Sequence, residues 1–311
     1  MSAEPLVSVV VPVLNGERHL EACLTSVLTQ AYENIEVVVA DQSSTDRSVE
    51  IIRSFADPRV RLLPDVTEQL DLHSNWARGL EAAGGEFVKI VCQDDLLLPG
   101  CLSVQVELLR RHPTAVLTCG RRRIIDDQGK VLIGARGIGH LAGGGNTRVV
   151  AGPALARACT RAGTNLLGEP ICVLIRRSVL PDPLFDPRWH YPIDIEFYMR
   201  CVQCRDAVVD SRVLCCFRVS PHQLSAVLAK TQAREMQAFF SEMARRYPDA
   251  VSDADLWLGT TRARLLARAR RTLYRQMRMR ATIASWRSPE SQRRRQVASR
   301  IPDVSSEHRC S

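Results

Sequence analysis

The run Val7–Val13 (VSVVVPV) carries five valines in seven positions and does not alternate apolar with polar residues. Neither face of such a strand can look at water. It has the pattern of a parallel strand covered on both sides, which needs crossover helices to cover it. The chain supplies them. After the Asn15-Gly16 turn, HLEACLTSVLTQ places Leu20, Cys23, Leu24 and Val27 at helical spacing. Ile35–Ala40 reads as a second strand, Thr45–Phe55 as its helix, and Val60–Leu63 as a short third strand. Asn75–Ala83 is expected to be helical and Phe87–Cys92 a fourth strand; Leu98-Pro99-Gly100 then turns into a helix over Leu102–Arg111, with a strand at Ala115–Cys119. This alternation predicts an α/β fold with a doubly wound, mostly parallel sheet and helices on both faces.

Further on the signals weaken. Val131–Gly152 is glycine-rich and weakly patterned, and is expected to be a mobile loop. Ile171–Ile175 reads as a strand, Ile193–Gln203 as a helix, and Ala207–Phe217 as two short strands or a hairpin. Beyond Ser225 the pattern is helical almost to the end.

In sheets of this type ligands bind beyond the carboxyl ends of the strands. The polar residues there are Asn15, Asp41 with Gln42, and Asp94 with Asp95; Asp194 opens a later helix just after a proline. Strand-end carboxylates can accept hydrogen bonds from sugar hydroxyls or a base N–H, or hold a hard divalent cation beside substrate phosphates. The plainer alternatives are a turn or cap for Asp41 and a solvated turn for Asp94-Asp95. No GxGxxG follows the first strand, and Gly143–Gly145 lacks the strand-to-helix setting of a phosphate loop. Both observations argue against a dinucleotide-dependent dehydrogenase and a P-loop NTPase.

Taken together, the segments have a recognisable order. VSVVVPVLNGERHLEACLTSVLTQAYENIEVVVADQSSTDRS resembles the opening of family 2 glycosyltransferases, which are inverting, nucleotide-sugar-dependent enzymes with the GT-A fold. Pro12, Asn15, Ser26–Gln30, Asp41, Ser44, Thr45 and Asp46 match that opening, while Gln42 and Ser43 replace its second Asp and its Gly. NWARGLEAAGGEFVKIVCQDDLLLPGCL, GEPICVLIRRS and IDIEFYMR are similar to the family's Asp-x-Asp passage, acceptor-side strand and base motif. The similarity runs from about Leu6 to Ser225.

The resemblance implies a catalytic domain over 1–225, with a nucleotide-binding half to about residue 120 and an acceptor-side half after it. It implies that Asp41 accepts from the nucleotide base, that Pro12 and Asn15 line the same pocket, and that Asp94 ligates Mg²⁺ or Mn²⁺ on the donor diphosphate. Asp95 would bind the donor sugar and Asp194 would be the general base. The implied partners are a nucleotide-sugar donor and an acceptor hydroxyl, and Gly134–Asn146 and Thr164–Pro170 are expected to face the acceptor. The chain also departs from the pattern. Cys92 and Gln93 stand in the first two places of Asp-x-Asp, Ile193 replaces the Glu before the base, and Ser220 stands where a His is usual, with His222 two residues on. A thiol is a poor partner for Mg²⁺. A non-catalytic GT-A-like protein that binds a sugar nucleotide or a partner is therefore the reading from another class.

Charge divides the chain. Residues 1–230 carry 25 Lys+Arg against 26 Asp+Glu, whereas 231–311 carry 17 against 8. The basic excess belongs to a helical C-terminal region, 226–311, whose last residues (SRIPDVSSEHRCS) read as a disordered end. No acid occurs from Leu256 to Pro289. Arg264, Arg268, Arg271, Arg275 and Arg278 fall on one helical stripe; Leu258, Leu265, Leu266, Ala269, Leu273 and Met277 fall opposite. Two readings stay open. The apolar side packs on the catalytic domain, or the helix at 256–289 lies on an anionic membrane. Nucleic acid is not expected, because no recognition motif or interleaved aromatics accompany the arginines. Eleven cysteines scattered through apolar segments, with no basic leader before Val7, fit a cytoplasmic protein with buried free thiols, peripheral to the membrane at most. Cys201-x-x-Cys204 with Cys215-Cys216 reads as packing rather than a zinc site.

Overall fold

A computed structural model describes residues 4–66, 70–138, 147–220, 223, 228 and 231–287. Strand β1 (Val7–Val13) is buried at every position, as its composition requires. It pairs in parallel with β2 (Ile35–Asp41) on one side and β4 (Phe87–Ile90) on the other, and β3 (Val60–Leu62) pairs in parallel with β2. Helix α1 (Leu20–Leu28) buries Leu20, Cys23, Leu24 and Val27. Helices α2 (Ser48–Ser54) and α3 (Leu72–Glu81) follow, the latter capped by the Asp71 carboxylate accepting from Ser74 N. The spatial order β3-β2-β1-β4 reverses direction between β1 and β4, which is the topological switch point where α/β sheets open a crevice.

Beyond β4 the sheet becomes mixed. The short β5 (Leu96–Leu97) leads to α4 (Cys101–Arg111) and then β6 (Ala115–Ile125). After the antiparallel edge strands β7 (Val131–Arg136) and β8 (Thr147–Ala151) come α5 (Gly152–Ala162), β9 (Val173–Arg176), α6 (Ile193–Val202) and β10 (Asp206–Arg218). The order continues β4-β9-β6-β10-β5, with β7 on β6 and β8 on β10. Strand β9 runs antiparallel to both neighbours, and β10 runs parallel to β6.

Several expectations change here. Ala207–Phe217 is one strand, not a hairpin. The polar triplet Asp210-Ser211-Arg212 marks a register shift, where Asp210 accepts from Arg212 N and Nε and from Thr147 Oγ1. Strand β6 continues six residues past Cys119 because Arg122 finds a carboxylate inside the protein. The weakly patterned stretch after Val131 contains β7 and β8, whose edge pairing leaves little burial signal; residues 139–146 lie outside the described residues. Ile171 and Cys172 belong to a 3₁₀ turn that precedes β9. The second helix starts at Ser48 rather than Thr45, because Asp46 accepts from Ser48 N and Oγ and from Glu17 N in a turn ahead of it. Helix α5 was not expected.

Helices α7 (Gln232–Arg246) and α8 (Asp253–Arg287) come after β10 among the described residues. Helix α8 packs on α5, but not through the large apolar side chains the helical wheel selects. The buried stripe is Asp255, Gly259, Ala263, Ala267 and Tyr274. The helices touch so closely that a Cβ on Gly259 would lie 1.7 Å from the Thr160 carbonyl oxygen. Asp255 is fully buried and accepts from Arg157 Nε and Arg161 Nη1. Burial alone would raise its carboxyl; Arg161, Ser252 and Arg157 outweigh that and hold it at about 2. Trp257 and Leu265 remain 70% and 57% exposed beside the arginines. Gly259→Ala is expected to push α8 off α5 and cost roughly 1–3 kcal/mol, read as a melting temperature several degrees lower. Trp257→Ser should leave it unchanged. Equal melting of both variants and the parent would mean that the close contact is not formed.

Candidate active site

A cleft of about 830 Å³ opens at the carboxyl ends of β1 and β4. One end is built from Pro12, Val13, Leu14 and Gln42, with Asn75 and Trp76 of α3. Behind this wall two turns are laced together. Asn15, at a left-handed φ of 50°, donates its N–H to Ser44 Oγ, and its Oδ1 accepts from Thr45 N. Asp41 Oδ2 accepts from Ser44 N at 2.9 Å and Oδ1 from Ser44 Oγ at 2.6 Å. Of the residues expected at the nucleotide, Pro12 lines the cleft, while Asn15 and Asp41 stand behind it and shape the turns. Gln93, in the middle place of the altered motif, locks β1 to the loop after β4. Its Oε1 accepts from Leu14 N and its Nε2 donates to Leu14 O. A Cβ at position 16 would fall 2.6 Å from Gln93 Oε1, so the glycine there leaves room for this lock.

The adjacent acids point in different directions. Asp94 lines the cleft, and burial pushes its carboxyl above the ordinary range. Asp95 is fully buried, does not line the cleft, and accepts from Arg218 N through Oδ1; burial and then Asp94 push its carboxyl well up. Arg218 fixes the same turn from the other side by donating Nε to Asp94 O and Nη1 to Asp126 O. The Cys92 thiol also lines the cleft, and burial pushes it well above its ordinary range, so it keeps its proton. Among the described residues no group of three or more His, Cys, Asp or Glu side chains is arranged to hold a metal ion. His222 lies outside the described residues. Cys201 is buried in α6 and Cys204 is exposed.

Asp194 stands in the first turn of α6 and lines the far end. Its Oδ2 accepts from Asn165 Nδ2 at 2.9 Å and its Oδ1 from Ile195 N at 2.7 Å. Asn165 is itself fixed, donating to Gly168 O and accepting from Gly168 N. Burial, and after it the Glu169 carboxylate, raise Asp194 to about 7 despite these hydrogen bonds. Glu169 accepts from Arg122 Nη2 at 2.9 Å in a two-point ion pair. Burial would lower the Arg122 guanidinium, but Glu169 outweighs it and holds the proton more tightly. The Arg122–Glu169 pair was not singled out from the sequence; an arginine triplet inside a strand, followed later by a Glu-Pro turn, was the available signal. Helix α8 forms the last wall with Leu266, Ala269, Arg270, Leu273 and Tyr274. Arg270 donates to Tyr191 OH and Thr164 Oγ1, tying this helix to both segments that flank Asp194.

Residues 8–180 match the sequence model of the family described as Glycosyl transferase family 2. The chain is 32% identical over 238 residues to an uncharacterized protein of Mycobacterium tuberculosis, MT1568, covering 72% of this chain and 67% of that one. It is 35% identical over 128 residues to an uncharacterized glycosyltransferase of Haemophilus influenzae, or 40% of this chain and half of the relative. Glycosyltransferase GlyA of Streptococcus pneumoniae matches over 95 residues at 39% identity, but the aligned part spans only 14% of that protein. Among solved structures, TarS 1–349 of S. aureus in complex with UDP-GlcNAc superposes with a TM-score of 0.56 at 18% identity, over 79% of this chain and 73% of that one. The mannosyltransferase PcManGT of Pyrobaculum calidifontis, in complex with GDP-Man and Mn²⁺, superposes with a TM-score of 0.60 at 20% identity, over 96% and 81%. These likenesses establish the α/β GT-A fold.

The raised Asp194 has a measurable sign. An unfolded chain protonates an aspartate only below about pH 4, whereas the folded protein holds this proton to about pH 7. Between those values the native state binds more protons than the unfolded one, so this group's contribution to stability falls as pH rises. Asp194→Asn is therefore expected to melt above the parent at pH 8 and close to it at pH 4.5. A melting difference that stays constant across that range would contradict the raised proton affinity.

Proposed function

Because the chain belongs to glycosyl transferase family 2, we propose that this glycosyltransferase moves a sugar from a nucleoside-diphosphate sugar to an acceptor hydroxyl with inversion, Asp194 acting as general base. The observation that carries this reading is the Asp194 carboxylate, fixed by Asn165 and Ile195 N in the cleft, with a proton affinity near neutrality. A base is most effective when its pKa lies near the working pH. In the proposed step the acceptor oxygen attacks the anomeric carbon while its proton passes to Asp194. The bond from that carbon to the diphosphate oxygen breaks on the opposite side, and its electron pair leaves with the nucleoside diphosphate. Single displacement inverts the centre. Pro12, Asn15 and Asp41 would form the nucleotide end, Pro12 by contact and the other two by holding its turns. Asp95 would steady the Asp94 turn from within.

A divalent cation fits this site only in a limited way. Asp94 offers one hard carboxylate in the cleft, Cys92 keeps its proton, and one Asp95 oxygen is engaged by Arg218 N. That set suits Mg²⁺ or Mn²⁺ held by one carboxylate together with substrate phosphates, not a site complete without substrate. When bound, the ion would supply Lewis-acid neutralisation of the leaving diphosphate. The complexes of TarS with UDP-GlcNAc and of PcManGT with GDP-Man and Mn²⁺ support this class of donor and cofactor.

The same reading extends to where the protein rests. No helix among the described residues is long and apolar enough to cross a membrane. Helix α8 leaves Trp257 and Leu265 exposed next to Arg264 and Arg268, with no acid from 256 to 289. An anionic bilayer complements that face in charge and in apolar surface, each cation near it contributing about 1 kcal/mol.

Asp194→Asn is expected to lower kcat by ~10²–10⁴-fold with donor affinity kept, and the parent's rate should rise with pH to a plateau above about 7. Unchanged transfer by this variant would remove Asp194 as base; donor binding without turnover of any acceptor would favour the non-catalytic reading. Cosedimentation with phosphatidylglycerol vesicles should fall when Trp257 and Leu265 are both changed to serine. Undiminished binding by that double variant would exclude this face as the contact.

A further inference from the structure

Strand β7 runs antiparallel to β6, and their register sets Arg136 directly opposite Arg122. Side chains opposite each other on antiparallel strands share a face of the sheet, and like charges placed so are unfavourable. Glu169 neutralises Arg122. Among the described residues Arg136 has no carboxylate within ion-pair distance, although it lines the cleft. A third guanidinium, Arg270, enters the same end from α8 and is held by two hydroxyls, not by a carboxylate. Arg136 reaches solvent at the rim, and partial burial, then Arg122 and Arg270, press it towards losing its proton, yet an arginine keeps its charge. Three guanidiniums thus converge on one wall, and of the three Arg122 has the ion-pair partner, Glu169.

This cluster stands at the Asp194 end. The charges that act on Asp194 include Glu169 and Arg122, and those that act on Arg136 include Arg122, Arg270 and Glu169. Asp94, at the proposed diphosphate end, responds instead to His19, Arg218 and Asp127. We propose that the acceptor carries a fixed negative charge, a phosphate ester or a carboxylate close to the hydroxyl it offers, and that Arg136 and Arg270 bind that charge. The inference rests on the transferase reading of the same cleft and names its acceptor class. An anion there would relieve the Arg122–Arg136 opposition, and its second function would be to orient the hydroxyl towards Asp194.

The test uses the full chain saturated with UDP or GDP, whichever of the two raises its melting temperature, so that the donor end is occupied. Glycerol 1-phosphate, glycerate and uncharged glycerol are then titrated by thermal shift, with ligand-observed NMR as a second readout. A charged probe is expected to bind and glycerol is not, and the stronger of glycerol phosphate and glycerate identifies the anion. Arg136→Gln, on an edge strand, should weaken the charged probe at least five-fold with nucleoside-diphosphate affinity unchanged; Arg270→Gln should weaken the probe too. Equal response to glycerol and glycerol phosphate would overturn the proposal. So would an Arg136→Gln variant that loses nucleoside diphosphate instead, since the cations would then serve the donor. Because the readout is binding, anion capture without any transfer would fault the transferase reading alone, and efficient transfer to a neutral acceptor would fault this one alone.

Discussion

A strand covered on both faces has no place for a polar group that needs water until it leaves the sheet. β1 and its parallel neighbours β2 and β4 therefore expel their chemistry to one edge. Asp41 ends β2, Asn15 follows β1, and Asp94 follows β4, all on the same side. The reversal of strand order between β1 and β4 turns that edge into a crevice. The remaining walls are fitted to this opening.

The cleft is held in shape largely by charge taken out of water, where an unpaired ion costs several kcal/mol. Among the described residues each buried acid has a partner or a proton. Arg122 has Glu169, Asp255 has two arginines, and burial pushes the Asp94 and Asp95 carboxyls towards keeping their protons. Asp194 is the informative case, because its neighbours are a neutral amide, one backbone N–H and a second acid. Those surroundings leave the group balanced between its two protonation states, as proton transfer near neutral pH requires.

Much of this was legible in the sequence where the signal is periodic. The unbroken valines of β1 and the spacing of Leu20, Cys23, Leu24 and Val27 dictate their elements locally, and the acids at the strand ends follow from the same reading. What escaped depends on partners far along the chain. Arg122 extends β6 because Glu169 waits 47 positions away, and nothing near Arg122 announces that. Edge strands β7 and β8 are set by hydrogen bonds to neighbours and bury little, so their residues carry no alternation. A helical wheel picks the large apolar residues of α8, whereas the closest approach to α5 falls at Gly259 and Ala263, where the backbones nearly touch. Asp41 and Asn15 were found by position, but their hydrogen bonds run within the turns, a distinction that only geometry makes.

The wall contributed by α8 comes late in the chain. As the polypeptide leaves the ribosome, the residues of the sheet, Asp94 and Asp194 emerge before those of one flank of the cleft. Arg270 and Tyr274 come later in the chain and line that flank. Without them the cleft that Asp194 lines lacks one wall. The cleft is thus whole only with α8 docked on α5, and its last wall depends on a contact made outside it.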